Sequence, residues 1–540
     1  MVIQVYEADS FARPGTGTVN GIRPHRVQPD EMAYSLNMRP FAGNWVMRGG
    51  CVQQGTAPAS AKVTWLFHAY DTTGGSLVVR MAMINTSLYY KVGAGAWTSF
   101  KAGLTAGTYP VAVAYKDTVY WCNATDTPLA ISIANPPVAS NWTTLPSGIN
   151  PAWVVLHKNR LYYGGDTSTP QQVWMTDPGA PSTTTATNVY NVPDDQNGNF
   201  PKIAVNVGNG IGLFCQDFLC YLTGTGPLTH QIYQLPRGAA CVAWRSVVDM
   251  GEFGAYFLTE NGVFSWDGNS PPIPVDPFRR FNWTDIDMTT ETNIWAFRVG
   301  DEYRLYFKSK GDTFATTATA ASVLASSTAR TRFAVLAAAR TRLTRVAFST
   351  AGTISHYVAY DCRLKQYSLH TGAHLCGAWT QYRYGDTQDP WVGSVAADGA
   401  VYMADQISAF TDASQGTGSS TIVCYLKTGT IGHYASRTRI HRIKALFGVG
   451  FTADSDVLIR VWQDGTQGEP QPPAAEKTVR LGLTGEVNGY EGQWTDAVPV
   501  DETMNYTGQI GYFPQVEYTY SGSGPFEFRG HTIYYEAQED

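Results

Sequence analysis

Apolar and polar residues alternate along this chain in short runs, and the runs predict strands almost everywhere. Stretches rich in Val, Tyr, Phe, Trp and Thr are broken by Gly, Pro, Asn and Asp roughly every eight to twelve residues, as in all-β sandwiches and propellers. Several stretches share a unit of strand, tight polar turn and aromatic strand. Val113–Trp121 turns at Asp117, Val154–Tyr163 at Asn159, Ala255–Trp266 at Asn261-Gly262, and Val395–Tyr402 at Asp398-Gly399. Asn-Gly and Asp-Gly suit such hairpins because their central positions accept positive φ.

The turns recur. Asp117 and Asn159 lie 42 residues apart, and Asp217 and Asn261 lie 44 apart. A four-stranded propeller blade takes about 40–50 residues. The expected fold is therefore all-β: a β-propeller of six or seven blades over 61–420, then a C-terminal β-sandwich-like domain over 421–540. Residues 1–60 are expected to complete the propeller or dock on it. Unrelated sandwiches in series are the competing architecture. An Ala/Thr/Arg-rich segment, 313–350, interrupts the strand pattern, and its Ala-rich second half favours a helix. It reads as an insertion in a late blade.

Composition narrows the function. Of 540 residues only 15% are charged, whereas 13% are aromatic, with 31 Tyr and 15 Trp. Such a chain has material for large cores and is not disordered as a whole. The net charge of −6 argues against a generally basic nucleic-acid coat. Charge is uneven, however: residues 454–540 carry fifteen acids and four bases, whereas 413–453 carry five bases and no acid. The N-terminus lacks the pattern of a secretory signal, and no apolar run is long enough to span a membrane. Eight scattered cysteines without a Cys-x-x-Cys read as buried free thiols in a reducing cytoplasm.

Chemical motifs are sparse. The chain has no Walker A loop, His-Glu-x-x-His or Gly-x-Ser-x-Gly. Gly208-Asn-Gly210-Ile-Gly212 reads as a strand junction, because no helix follows to hold a phosphate. Asp194, Asp195, Asn197 and Asn199 have the oxygen-rich look of a calcium loop without its spacing. Cys362, His370, His374 and Cys376 include zinc-ligand types, but the histidines read as exposed loop residues beside a core thiol. No catalytic, cofactor or metal site is expected. Arg330, Arg332, Arg340, Arg342 and Arg345 are candidates for contact with DNA phosphate or an acidic partner, since guanidinium forks pair with both. The aromatics could also serve as sugar platforms for a carbohydrate-binding or carbohydrate-cleaving propeller, although filling the wedges between blades accounts for them more simply.

Some strings are familiar. Tyr34-Ser-Leu-Asn37-Met-Arg39-Pro-Phe-Ala-Gly43 and Arg48-Gly49-Gly50 resemble the N-terminal segment of tail-nozzle and packaged-DNA-stabilisation proteins of short-tailed bacteriophages. Val155–Gly165, containing Asn159-Arg160-Leu161, followed by Val173–Pro181, is similar to one of their propeller blades. Tyr256–Phe264, Tyr360–Tyr367 and Tyr425–Gly429 fit the same style. The likeness covers roughly residues 30–450, and the 313–350 segment departs from it. The resemblance implies a structural virion protein that is made in the host cytoplasm and forms a homohexameric nozzle ring. Its implied neighbours are a tail adaptor or connector ring, tail fibres or spikes, and packaged double-stranded DNA in the channel. Another tail, baseplate or host-recognition position is the alternative within the same setting.

Overall fold

Strands make up nearly all the regular structure. The computed structural model describes residues 4–9, 32–310, 354–462, 475–481 and 500–538, apart from short interruptions of which 379–389 is the longest. Among the described residues, seven four-stranded antiparallel sheets follow one another. Blade 1 comprises Val63–Tyr70, Leu77–Ile84, Ser87–Lys91 and Thr98–Ala102. Blades 2, 3, 4 and 5 begin at Val111, Trp153, Ile203 and Val248. Blade 6 comprises Trp295–Val299, Glu302–Phe307, His356–Asp361 and Gln366–Thr371. The 313–350 segment, with its five arginines, falls outside the described residues; along the chain it joins the second and third strands of this blade.

Blade 7 closes the ring. Its first three strands are His374–Ala378, Trp391–Ser394 and Val401–Gln406, and its outer strand is Gly50–Gln53 from far upstream. The first strand of each sheet touches the first strand of the next, and His374–Ala378 touches Val63–Tyr70. The molecule is thus a seven-bladed β-propeller, which leaves only the short outer strands of its blades as edges.

The second strands explain the sequence pattern. Arg160–Gly164, Gly210–Phe214 and Ala255–Thr259 are buried at every position, because neighbouring blades cover both faces. The wedges between blades are filled by large side chains, such as Tyr115, Tyr120, Trp142 and Tyr163 between blades 2 and 3. Each fully buried aromatic of this kind contributes about 1.5–3 kcal/mol.

A β-sandwich accompanies the propeller, and its strands come from both ends of the chain. One sheet runs Met38–Phe41, Asn44–Met47, Glu527–Gln538, Arg437–Gly448 and Val500–Asn505, with Gln4–Asp9 pairing Glu527–Gln538. The other runs Met32–Leu36, Val423–Thr428, Gln515–Ser521, Ser455–Trp462 and Ala475–Leu481. Here the two-residue period is clean. Cys424, Leu426 and Thr428 point inward while Val423, Tyr425 and Lys427 are half-buried, and Ile443, Ala445 and Phe447 face them within one core.

Candidate functional site

The most heavily built polar region lies where the sandwich meets blades 6 and 7. Asn37 stands between Met32–Leu36 and Met38–Phe41, is 2% exposed and has a left-handed φ of 57°. Its backbone N–H donates to Leu369 O at 2.8 Å. Its side-chain oxygen accepts from Thr371 N at 2.9 Å, Thr371 Oγ1 at 3.1 Å and Arg48 Nε at 3.0 Å, while Nδ2 donates to Val423 O at 2.8 Å. One side chain therefore ties blade 6 to both sandwich sheets. Asn suits the position because it tolerates the left-handed region and offers both donor and acceptor.

Arg48, 3% exposed, continues the seam. Its Nη1 donates to Asp412 Oδ1 at 2.9 Å and its Nη2 pairs with the other carboxylate oxygen. This bidentate geometry is the strong form of the ion pair. Gly49 follows because nothing larger fits: a Cβ there would overlap the Asp405 backbone. Asp405 itself sits in a bulge of blade 7 with φ 58°, which aims its carboxylate at Arg304 Nη2, 2.5 Å away.

Arg304, 2% exposed, also holds Glu302 at 2.6 Å, and Arg39 stands 3.6 Å from Asp405 and 3.9 Å from Glu302. Burial opposes ionisation of Asp405, yet Arg304 and Arg39 outweigh it and hold the carboxyl well below the usual range. Asp412 is likewise lowered: burial opposes its charge, and Arg48 outweighs burial. Beside them His370 is kept neutral by burial and by the three guanidiniums. Arg39, Arg48, Glu302, Arg304 and Asp405 border a cleft of about 710 Å³ with an apolar side formed by Val46, Met47, Val299, Pro525 and Phe526.

The residues singled out from sequence are placed as follows. His370 and His374 are not exposed loop residues: they lie in the strands Gln366–Thr371 and His374–Ala378, at 2% and 9% exposure. The polar spelling of these strands hid them, because blade strands covered on both faces need not alternate. Cys362 packs among the aromatics of blades 5 and 6, and Cys376 donates toward Val63 O at 3.3 Å. Among the described residues no group of three or more His, Cys, Asp or Glu is arranged to hold a metal ion. Gly208 makes the turn of the Ile203–Val207 and Gly210–Phe214 hairpin. Asp194, Asp195, Asn197 and Asn199, like the arginines at 330, 332, 340, 342 and 345, lie outside the described residues.

One pair with nucleophile chemistry was missed by the sequence reading. Cys51 Sγ lies 3.7 Å from His374 Nε2, with Asp412 nearby. Burial pushes the Cys51 thiol well up and brings His374 down to about 4. A thiol and an imidazole both held neutral in this way make a poor thiolate–imidazolium pair. No local signal marks it, since 323 residues separate the partners.

No family model and no curated protein matches the chain. Solved structures with a similar fold include the WD40 domain of Pan2 from Neurospora crassa, at TM-score 0.36 and 8% identity, covering 69% of this chain and 98% of that one. PorZ, a surface component of the type-IX secretion system of Porphyromonas gingivalis, gives TM-score 0.36 and 8% identity, covering 73% of this chain and 45% of that one. A protein of unknown function from Bacteroides thetaiotaomicron gives TM-score 0.30 and 10% identity, covering 66% and 75%. At such scores the propeller is read from its own sheets. Among the described residues no helix is long and apolar enough to cross a membrane.

Proposed function

We propose that this chain is a structural protein of a bacteriophage tail, the distal nozzle ring that continues the DNA channel and retains the genome until ejection. One observation carries the reading. Asn37, Arg48 and Gly49, from the string that resembles the nozzle and packaged-DNA-stabilisation proteins, are the residues that lock both ends of the chain against blades 6 and 7. A molecule whose distinctive residues serve to join its parts is suited to bearing load.

In this reading the copies form a homohexameric ring through heterologous contacts that close by rotation, with the extensive apolar interfaces of permanent assemblies. The adaptor or connector ring and the fibres or spikes are its neighbours in the virion. DNA passes without sequence-specific contact, and the acidic 454–540 stretch weakens phosphate attachment to the wall. Arg330, Arg332, Arg340, Arg342 and Arg345 are the proposed DNA or partner contacts. Mass photometry of the purified protein over a concentration series is expected to reveal a ring species, and particles lacking the protein are expected to lose DNA. A protein that stays monomeric throughout and has no affinity for tail components contradicts the proposal.

A further inference from the structure

The junction of blades 3 and 4 carries a second site, independent of the tail reading. Among the described residues three arginines are buried: Arg48, Arg160 and Arg304. Arg48 holds Asp412, and Arg304 holds Glu302 and Asp405. Arg160, 7% exposed at the head of the second strand of blade 3, pairs with no carboxylate among the described residues. Its Nη1 donates to Thr176 O at 2.9 Å. Its Nε and Nη2 donate to nothing among the described residues, and neither atom is sealed from solvent. A buried charge without a counter-charge is costly, and the open side of this fork is where an anion would relieve it.

The surroundings of Arg160 add charge of the same sign. Lys158, exposed in the preceding turn, donates to Gly224 O at 3.4 Å, in the loop between the third and outer strands of blade 4. Gly226 of that loop borders Arg160: a Cβ there would stand 3.6 Å from Nη2. The loop thus passes both cations and sets no side chain over them at either glycine. His230, at its end, has Tyr162 Oη 2.9 Å from Nε2 and Tyr190 Oη 3.3 Å from Nδ1. Burial lowers the His230 pKa, and the charges of Arg160, His157 and Lys158 lower it further. A singly charged carboxylate would balance one of the two cations, whereas a phosphate dianion balances both and offers the guanidinium fork two oxygens.

We propose that Arg160 and Lys158, beside the Gly224–Gly226 loop, bind a phosphate dianion, as free phosphate or as the terminal group of a monoester. Isothermal titration calorimetry of the full chain with inorganic phosphate, dimethyl phosphate and acetate tests this. Saturable binding of inorganic phosphate is expected, with the singly charged diester and carboxylate at least about tenfold weaker. Arg160→Gln should weaken phosphate roughly ten- to a hundredfold, as loss of a charge-assisted hydrogen bond does. Lys158→Gln, at an exposed turn position, should weaken it several-fold and carries the test if the Arg160 variant does not fold. Absence of phosphate binding, equal binding of dimethyl phosphate or acetate, or unchanged affinity in a folded Arg160→Gln or Lys158→Gln variant overturns the proposal.

Discussion

At the scale of single residues, stability is concentrated in buried, hydrogen-bonded polar groups such as Asn37. Replacing Asn37 by Ala removes four side-chain hydrogen bonds and leaves a non-glycine residue without local support at φ 57°. The expected cost is about 3–5 kcal/mol, read as a lower urea midpoint, with Asn37→Gly recovering only the backbone part. The buried histidines set a pH dependence. Burial lowers His68 and His531 to about 3 and His356 and His374 to about 4. The unfolded chain, with ordinary histidines, therefore binds more protons than the folded one between pH 6.5 and about 4, and stability falls as pH falls through that window. Each such histidine contributes a slope of ~1.4 kcal/mol per pH unit. His374→Gln should flatten the urea-midpoint profile accordingly; an unchanged profile contradicts the assignment. Asp405 and Asp412, with lowered pKa values, add their loss only below the usual carboxylate range.

At the scale of elements, the hairpins were the most legible part of the sequence. Asp117, Asn159, Asn261 and Asp398 all stand at turns between adjacent strands, because turn chemistry is local. Gly399 shows how strictly such a turn is fitted: it has φ 67°, and a Cβ would overlap the Ala59 carbonyl oxygen. Gly399→Ala should destabilise by more than about 2 kcal/mol, through strain and through displacing the strap that leads into blade 1; thermal melting checks it. The seam was not legible. Arg48 and Asp412 are 364 positions apart, and Asn37 and Val423 are 386 apart, so no spacing links them. Only their place in the strings that resemble the phage tail proteins set Asn37, Arg48 and Gly49 apart. His370 and His374 were misplaced for the opposite reason: strands buried on both faces lose the alternation from which strands are read.

At the scale of the whole molecule, the ends of the chain close both bodies. Gly50–Gln53 completes blade 7 by pairing with Val401–Gln406, and the residues before it supply strands to the sandwich. Deleting 1–53 should leave Val401–Gln406 as an open edge and strip strands from both sandwich sheets. Aggregation visible by size-exclusion chromatography is the expected result, and a monodisperse, cooperatively melting deletion variant would contradict this account of closure. The seven-bladed count follows from the ring of first-strand contacts, which turn periodicity alone left between six and seven. The central claim is that this closed, clasped body serves as a wall in a larger ring. Electron microscopy of phage particles with this chain labelled tests it most directly. The account predicts label at the distal end of a short tail, arranged as a ring about the channel; label elsewhere on the particle, or none on it, would contradict the account.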